Sequence, residues 1–325
     1  MRRMNSIQKD VFSAVAWRSV RTPKELSQYL PYSEHSIRRT INDLVQDGLI
    51  WKTVMVNPYT LGLTRFNMYF SFSSWPSGDT TATLKAIEEH PHVSWLTEVE
   101  GGEYSYELAF QCSAMGDFTD FIDSLSSSNL CSFYQKEVVA ETSQSYFGVK
   151  YLSESGYRAP AVTWQSKVKP VTLDNLDVRI IHAACTSKAI QDSTIARSLG
   201  IPASSLQFRM NRLIKDKVIV ADFYDTDWKM LGIERLGVLL YARHTSEKFR
   251  NELFAFCQEH PNIMYLHRCI GGWDFKVGIF ADNMGMARGV LEELRAKFVE
   301  NIGALRTVVQ IRTFKDQFFP FTTLP

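Results

Sequence analysis

The sequence predicts an α+β fold in which one two-part unit, a three-helix domain followed by a βαββαβ domain, occurs twice. Three observations support this: an internal repeat, helical spacing in the first part of each copy, and alternating strands and helices in the second. Leu176 matches Ile7 (176 − 7 = 169), and Gly271-Gly272 matches Gly101-Gly102 (271 − 101 = 170). Because the matches in apolar register and turn residues span most of the chain, the long period indicates duplicated domains.

The first part of the first copy has the pattern of three short helices and a strand. Ile7 and Val11 begin the apolar stripe of the first helix, and Thr22-Pro23 supplies a cap and a first-turn proline for the second. The third helix begins at Ser33 and ends at Gly48. A strand-like stretch over 49–56 completes a winged helix-turn-helix.

The second copy repeats this design, with a first helix from about Asp174, a turn at Gly200 and a third helix opened by Pro202. Arginine can read guanine, glutamine and asparagine can read adenine, and hydroxyl groups can bind phosphates, so the outward residues of the third helices predict contact with double-stranded DNA. The alternative for any single helix is a solvated polar face. The predicted DNA-binding residues are His35, Ser36, Arg38, Arg39, Asn42 and Lys52 in the first copy, and Ser204, Ser205, Gln207, Arg209 and Arg212 in the second.

The second part of each copy predicts a ferredoxin-like βαββαβ domain. The first copy has strands over 66–72, 93–100, 106–112 and 133–140 and helices over 81–90 and 115–125; the second has strands over 236–242, 263–270, 275–280 and 306–314 and helices over 249–260 and 284–298. Helices cover only one face of such a sheet. The other face, with Phe70, Phe72, Leu239 and Tyr241 as candidates, must pack on something, most economically on the sibling sheet.

These patterns divide the chain into four domains and a linker. The predicted limits are 1–60 for the first winged helix-turn-helix, 61–150 for the first ferredoxin-like domain, 151–170 for the linker, 171–230 for the second winged helix-turn-helix and 231–325 for the second ferredoxin-like domain. The ferredoxin-like domains are expected to pair, either as an intrachain pseudo-dimer or in a homo-oligomer.

Charge and cysteine content narrow the function classes. The net charge is only +1, but basic residues outnumber acidic ones before Tyr59 and acidic residues dominate the next stretch, a polarity that suits a polyanion such as DNA. The five cysteines, an odd number, are scattered and predict neither a disulfide framework nor a zinc site. No signal peptide or membrane span is predicted, so we expect a soluble cytoplasmic protein.

The whole chain resembles two successive copies of the Lrp/AsnC (feast/famine) family of transcriptional regulators. The motifs that carry this resemblance are Leu173-Asp174-x-x-Asp177, Arg209-Met210-x-Arg212-Leu213 and the turn Cys269-Ile270-Gly271-Gly272-Trp273-Asp274-Phe275. The resemblance implies a sequence-specific DNA-binding regulator, with Gly271, Gly272, Trp273 and Asp274 near an amino-acid effector site. The alternative for this turn is a hairpin in which Asp274 binds a backbone amide.

The two copies differ at these motifs. Thr40 and Asp43 stand where the second copy has Arg209 and Arg212, and Tyr104 is expected opposite Asp274. One effector site, or none, is therefore expected rather than two equivalent ones.

Two other function classes stay open. The sequence has no phosphate loop, nucleophile elbow or His-Glu metal pair, so we predict no catalytic residue, metal site or cofactor. The histidines of Glu89-His90-Pro91 and Glu259-His260-Pro261 are interpreted as helix ends. Siroheme decarboxylases are nevertheless built from the same two domains, although the Asn-x-Trp-Phe stretch associated with them is replaced here by Gly-Gly-Trp-Asp. A scaffold that no longer binds DNA is the third reading.

Overall fold

The computed structural model describes residues 4–16, 22–73, 79–127, 133–158, 160–187 and 192–324. The four described cysteines are unpaired, and Cys131 lies outside the described residues. Among the described residues, no helix has both the length and the apolar character that crossing a membrane requires.

The first copy begins with three helices and one strand. They are α1 (Ser6–Val15), α2 (Pro23–Leu26), α3 (Glu34–Gln46) and β1 (Ile50–Val56). Asn5 and Gln8 form a capping box on α1, and the Ser33 side chain caps α3. The predicted helix starts are therefore set by local capping chemistry.

A ferredoxin-like domain follows, with the predicted order of elements. It consists of β2 (Thr64–Phe72), α4 (Thr80–Glu89), β3 (Val93–Glu100), β4 (Tyr106–Cys112), α5 (Met115–Ser127) and β5 (Phe133–Tyr146). The predicted linker contains a short strand, β6 (Val162–Gln165), which pairs with the end of β5.

The second copy has the same order of elements, which confirms the predicted fold class. Its first domain contains α6 (Asn175–Thr186), α7 (Asp192–Leu199), α8 (Ala203–Lys215) and β7 (Ile219–Thr226). Its second contains β8 (Glu234–Ala242), α9 (Glu247–Glu259), β9 (Ile263–Gly271), β10 (Phe275–Ala281), α10 (Met284–Lys297) and β11 (Ile302–Asp316).

The wing strands of the two helix-turn-helix domains pair with each other. β1 and β7 form an antiparallel ribbon in which Ile50 lies opposite Thr226. Val54 and Val56 of β1 also pack into the core of the second helix-turn-helix domain, beside Val178. A strand without a neighbour leaves backbone N–H and C=O groups without hydrogen-bond partners, and the wing strand of the other copy supplies these partners. The ribbon therefore ties the domains of α3 and α8 together.

The two ferredoxin-like sheets close into an eight-stranded barrel. The strands follow the order β2-β4-β3-β11-β8-β10-β9-β5, and β5 pairs again with β2. The first half of β5 pairs with β2 of its own domain and the second half with β9 of the other, while β11 divides in the same way between β8 and β3. The predicted pairing of sheets thus occurs within the chain, and closure leaves none of these eight strands as a free edge.

Side-chain parity in the first sheet differs from the prediction. Leu239 and Tyr241 do lie in the cluster between the sheets, together with Tyr69. Phe70, however, is buried on the helix-covered face, and Phe72 packs against the same cluster. Successive side chains of a strand point to opposite faces of the sheet. Tyr69, and not Phe70, therefore lies in the cluster between the sheets, and the predicted face was wrong for both Phe70 and Phe72.

Two ion pairs join equivalent residues of the two copies: Lys276–Glu107 is buried inside the barrel, and Arg306–Glu137 is partly exposed. Lys276 donates to Glu107, and Arg306 donates to Glu137 (Nη1 to Oε2, 3.1 Å). The partners stand 169 residues apart in both pairs, which is the repeat offset. Residues related by the pseudo-twofold axis therefore carry opposite charges, an arrangement that two identical domains cannot produce.

Candidate functional site

Helix α3 exposes most of the residues predicted to contact DNA. Ile37, Ile41 and Leu44 are buried, while His35, Arg38, Arg39 and Asn42 are exposed and Ser36 is half-buried. Arg38 pairs with Glu34, and Arg39 Nε lies 3.7 Å from Asp43 Oδ2, both one helical turn apart. The arginine side chains remain 59% and 76% exposed, so water competes with both pairs.

Arg209 and Arg212 of α8 do not project freely outward, contrary to the sequence prediction. Arg209 Nη1 donates to Asp174 Oδ2 at 2.7 Å and to Asp177 Oδ1 at 2.8 Å, and Arg212 donates to Asp177. The Asp177 side chain is only 1% exposed. These arginines fasten α8 to the start of α6, so the sequence motif that contains them serves the packing of this domain.

The first copy lacks both sides of this network. Asn5 and Gln8 replace the two aspartates in the capping box, and Thr40 and Asp43 replace the two arginines. The Thr40 hydroxyl instead donates to the backbone carbonyl of Ser36 at 2.8 Å. The first copy therefore lacks the two aspartates of this network as well as the two arginines, which fits an internal structural role for Arg209 and Arg212.

Lys52 is engaged between the two copies. Its Nζ lies 3.4 Å from Asp192 Oδ1 and 3.5 Å from Asp222 Oδ2, and only 23% of the side chain is exposed. Burial lowers the pKa of Lys52, but the two carboxylates raise it more, so the net shift is upward. The predicted DNA contact by Lys52 would require breaking this bridge.

The remaining outward residues of α8 are mainly neutral. Ser204, Gln207 and Asn211 are exposed, Ser205 is half-buried, and Gln207 Nε2 donates to Asn211 Oδ1 at 3.0 Å. Phe208 is 72% exposed where the first copy has Arg39. The outward faces of α3 and α8 therefore present different side chains.

The groups of the Gly271–Asp274 turn are used within the fold. Trp273 is 1% exposed, and Asp274 Oδ2 accepts the backbone N–H of Ala242 at 2.8 Å, the hairpin alternative that the sequence left open. Gly271 has φ 130°, and a Cβ there would lie 2.7 Å from the carbonyl oxygen of Val138. Glycine at 271 is thus explained by the close approach of β5.

The alignment of the two glycine turns also needs correction by one residue. The backbone N–H of Ser105 donates to Phe70 and that of Asp274 to Leu240, which makes Ser105 the counterpart of Asp274. Tyr104 consequently corresponds to Trp273. Glu103 is the extra residue of the first turn.

Sequence reasoning did not identify the polar interior of the barrel as a site. We use the name barrel cavity for a space of about 60 Å³ whose polar lining includes Arg65, Trp95, Arg235, His267, Lys276 and Gln310. Glu141, fully buried beside it, lies 3.1 Å from Arg65 Nε and 3.2 Å from His267 Nδ1. Burial raises the pKa of Glu141, but His267 and Arg65 lower it to about 2. The sequence signal that could have revealed this polar interior is the presence of charged residues at strand positions that face the inside of the barrel.

The histidines at the two helix ends behave as predicted. His90 is the C-cap of α4 and His260 the C-cap of α9, and each ring Nδ1 accepts a backbone N–H two residues later, at 3.2 and 3.1 Å. Burial lowers the pKa of His90 to about 4, so this histidine is neutral at pH 7.

Comparison with known proteins places these features in context. No family model matches the chain. An uncharacterised helix-turn-helix-type transcriptional regulator of Pyrococcus horikoshii is 23% identical over 150 residues, which are 46% of this chain and 99% of that protein. The helix-turn-helix-type regulator AldR of Mycolicibacterium smegmatis is 26% identical over 147 residues, 45% of this chain and 82% of AldR. Each relative thus matches about half of the chain.

A solved structure matches almost the full length. The siroheme decarboxylase NirDL, in complex with an iron-uroporphyrin III analogue, superposes with a TM-score of 0.56 at 11% identity, covering 99% of this chain and 95% of its own. At this identity the likeness concerns the fold, and it shows that the same tandem arrangement exists elsewhere.

Proposed function

We propose that the protein is a sequence-specific DNA-binding regulator of transcription in which one chain supplies both recognition helices. The observation that carries the proposal is the exposed polar face of α3, with His35, Arg38, Arg39 and Asn42 above a buried apolar stripe. The relatives named as transcriptional regulators support the same reading.

The energies of the existing ion pairs decide which arginines are available for DNA. Exposed helix pairs such as Arg38–Glu34 contribute roughly 0.3–0.5 kcal/mol, so a phosphate or guanine can replace them at little cost. Releasing Arg209 would instead take away one of the two arginines that hold the buried Asp177, and a hydrogen bond to a charged group contributes about 1.5–3 kcal/mol. We therefore assign charged DNA contacts to α3 and neutral ones to α8, through Ser204, Ser205 and Gln207.

Because α3 and α8 present different side chains, we expect an asymmetric DNA site. A homodimer presents two identical helices and favours a palindrome. Here α3 presents arginines and α8 presents Gln207, Asn211 and Phe208. The preferred duplex is expected to contain two different half-sites in a fixed order.

The direct test selects duplexes from genomic fragments with the full chain and measures affinity by fluorescence anisotropy over a range of salt concentrations. Replacing Arg38 and Arg39 with alanine should weaken binding and flatten the dependence of log K on log salt by roughly 0.9 for each lost phosphate contact. The matched control replaces Lys248 and Arg288, two exposed residues of the ferredoxin-like domain helices, and changes net charge equally. Selection of no duplex, or equal effects of both double variants, would contradict the proposal.

The effector part of the proposal needs a separate test. For the Gly271–Asp274 turn to hold an amino acid, Asp274 must exchange the Ala242 amide for a ligand ammonium group. Thermal-shift screening of amino acids against wild type and Asp274→Ala tests this, since an effector bound at the turn should stabilise only the wild type.

A second candidate function is siroheme decarboxylation, favoured by the chain-long likeness to NirDL. The barrel cavity itself is too small for a tetrapyrrole, since it measures about 60 Å³, whereas pockets for drug-sized ligands measure about 300–1,000 Å³. Phe318 of the C-terminal tail lines the cavity, so a tetrapyrrole would have to displace that tail. Titration with siroheme decides the question: a shifted Soret band with saturable binding supports this enzyme class, and an unchanged spectrum rejects it.

A further inference from the structure

The barrel cavity is small, enclosed by both halves of the chain and lined by charged groups. At about 60 Å³ it has room for roughly four or five water molecules, or for a ligand of about five non-hydrogen atoms. The pseudo-twofold relation between the halves makes it possible to compare each lining residue with its counterpart.

Arg65 and Arg235 are equivalent, but only one of them has a carboxylate partner. Phe66 pairs with Ala140 in the first half and Leu236 with Val309 in the second, so Glu141 and Gln310 occupy the same place beside the two arginines. Arg65 Nε lies 3.1 Å from Glu141 Oε2, whereas Arg235 Nη2 donates to the neutral Thr313 hydroxyl at 3.0 Å. In the second half a glutamine replaces the counter-charge.

The consequence is an incompletely compensated cation at the cavity. Among the described residues, no carboxylate oxygen lies within 4.0 Å of the Arg235 guanidinium. Burial lowers the pKa of Arg235 more than Asp316 and Asp225 raise it, whereas for Arg65 burial is outweighed by Glu141 together with Tyr146, Tyr59 and Glu107, and the pKa rises. A buried charge of this kind gains much from an anion placed beside it.

Two further polar atoms face the same space without a protein partner. Within the described part of the chain, Trp95 Nε1 and His267 Nε2 are buried and make no hydrogen bond to protein. The Arg235 guanidinium lies 6.0 Å from the Trp95 ring. Buried groups that stay unsatisfied in the protein alone indicate water or a ligand.

Acidic groups line the cavity as well. Glu107 is paired with Lys276, and Asp225 and Asp316 act on Arg235 from beyond 4.0 Å. The place left for an anion is in direct contact with the Arg235 guanidinium. We propose that the barrel cavity binds a small carboxylate, which lies in the open space beside Gln310 and pairs with the Arg235 guanidinium.

Binding at this position can reach the second helix-turn-helix domain. Phe318 lines the cavity, and the next residue, Phe319, is fully buried in the core of that domain together with Phe321. This step rests on the proposed DNA-binding function, whereas the carboxylate site itself does not.

The test uses the full chain without DNA, so its failure is separable from failure of the proposed function. Thermal unfolding and calorimetric titration are measured with sodium acetate, with glycine, and with sodium chloride at equal ionic strength. Gln310→Glu restores the carboxylate that the first half has and should weaken carboxylate binding at least tenfold while keeping the fold. Gln258→Glu, at an exposed position of α9, adds the same charge elsewhere and should bind like the wild type.

If acetate and glycine both bind, the result supports a site that recognises the carboxylate alone. If glycine binds and acetate does not, the result supports a carboxylate site whose acidic lining groups also hold an ammonium group. The proposal is overturned if neither probe binds more tightly than chloride, since the cavity then holds only water, or if Gln310→Glu binds as the wild type does.

Discussion

Replacing Lys276 with methionine should destabilise the barrel by about 3–5 kcal/mol, because Glu107 would stay buried without its counter-charge. The side chains of Lys276 and Glu107 are only 5% and 1% exposed. Asn67 Nδ2 and the Tyr69 hydroxyl would still donate to Glu107, at 2.8 and 2.9 Å, which places the expected loss toward the lower end of that range.

Urea and thermal unfolding of the full chain measure this loss. At an unfolding entropy of about 2.1 cal/mol/K per residue, a decrease of 3–5 kcal/mol corresponds to a fall in Tm of roughly 4–7 °C for a chain of 325 residues. Lys248→Met is the matched control: Lys248 is 85% exposed and lies 3.9 Å from Glu252, so its removal should cost less than about 0.5 kcal/mol.

The exchange Glu107→Lys with Lys276→Glu tests the pseudo-twofold argument itself. Each single substitution places two like charges at the centre of the barrel, while the double exchange restores a pair at equivalent positions. The double variant should therefore be more stable than either single variant. The reasoning is refuted if it is no more stable, or if Lys276→Met lies within about 1 kcal/mol of the wild type.

The sequence identified the elements well because their signals are local. Apolar spacing and caps such as Ser33 predict helices, and alternating residues between turns predict strands. The barrel closure is different. The first-domain strand predicted to end at 140 continues to Tyr146, and its added residues pair with β9 of the other copy. Pairing between strands distant in sequence leaves no local pattern.

The contacts of the predicted site residues could not be predicted from the sequence, because a residue type does not reveal its partner. Arg209 has the chemistry to read a base, but it binds Asp174 and Asp177. The repeat did contain this information, since the first copy replaces all members of that network. The charge exchange between Glu107 and Lys276 was equally visible at an offset of 169, but the extra Glu103 shifted the alignment of the glycine turn by one residue.

Three further predictions follow from the same contacts. Arg209→Ala should lower the unfolding free energy by about 1.5–3 kcal/mol, as measured by urea unfolding, since the buried Asp177 loses one of its two arginine partners; an unchanged midpoint would argue for a role at DNA instead. Gly271→Ala should cost about 1–3 kcal/mol in the same assay, because its φ of 130° disfavours a side chain and Val138 leaves no room for a Cβ, whereas Gly289→Ala, on α10 with open space around it, should not destabilise. The third prediction concerns the stability of the folded protein at acidic pH. Burial raises the pKa of Glu141, but His267 and Arg65 bring it down to about 2 from the ordinary 4.5, so the folded state holds this proton less tightly than the unfolded chain does. The resulting stabilisation is complete above pH 4.5 and is lost as the pH falls toward 2, with a magnitude of about 3 kcal/mol. His267 acts in the same direction from about pH 6.5 downward, because burial lowers its pKa and the folded state resists its protonation. Urea unfolding between pH 7 and pH 3 should therefore show a steeper loss of stability for wild type than for Glu141→Gln, with the exposed Glu300→Gln following the wild type. Parallel pH profiles for wild type and Glu141→Gln would mean that Glu141 does not carry the acid sensitivity of the barrel.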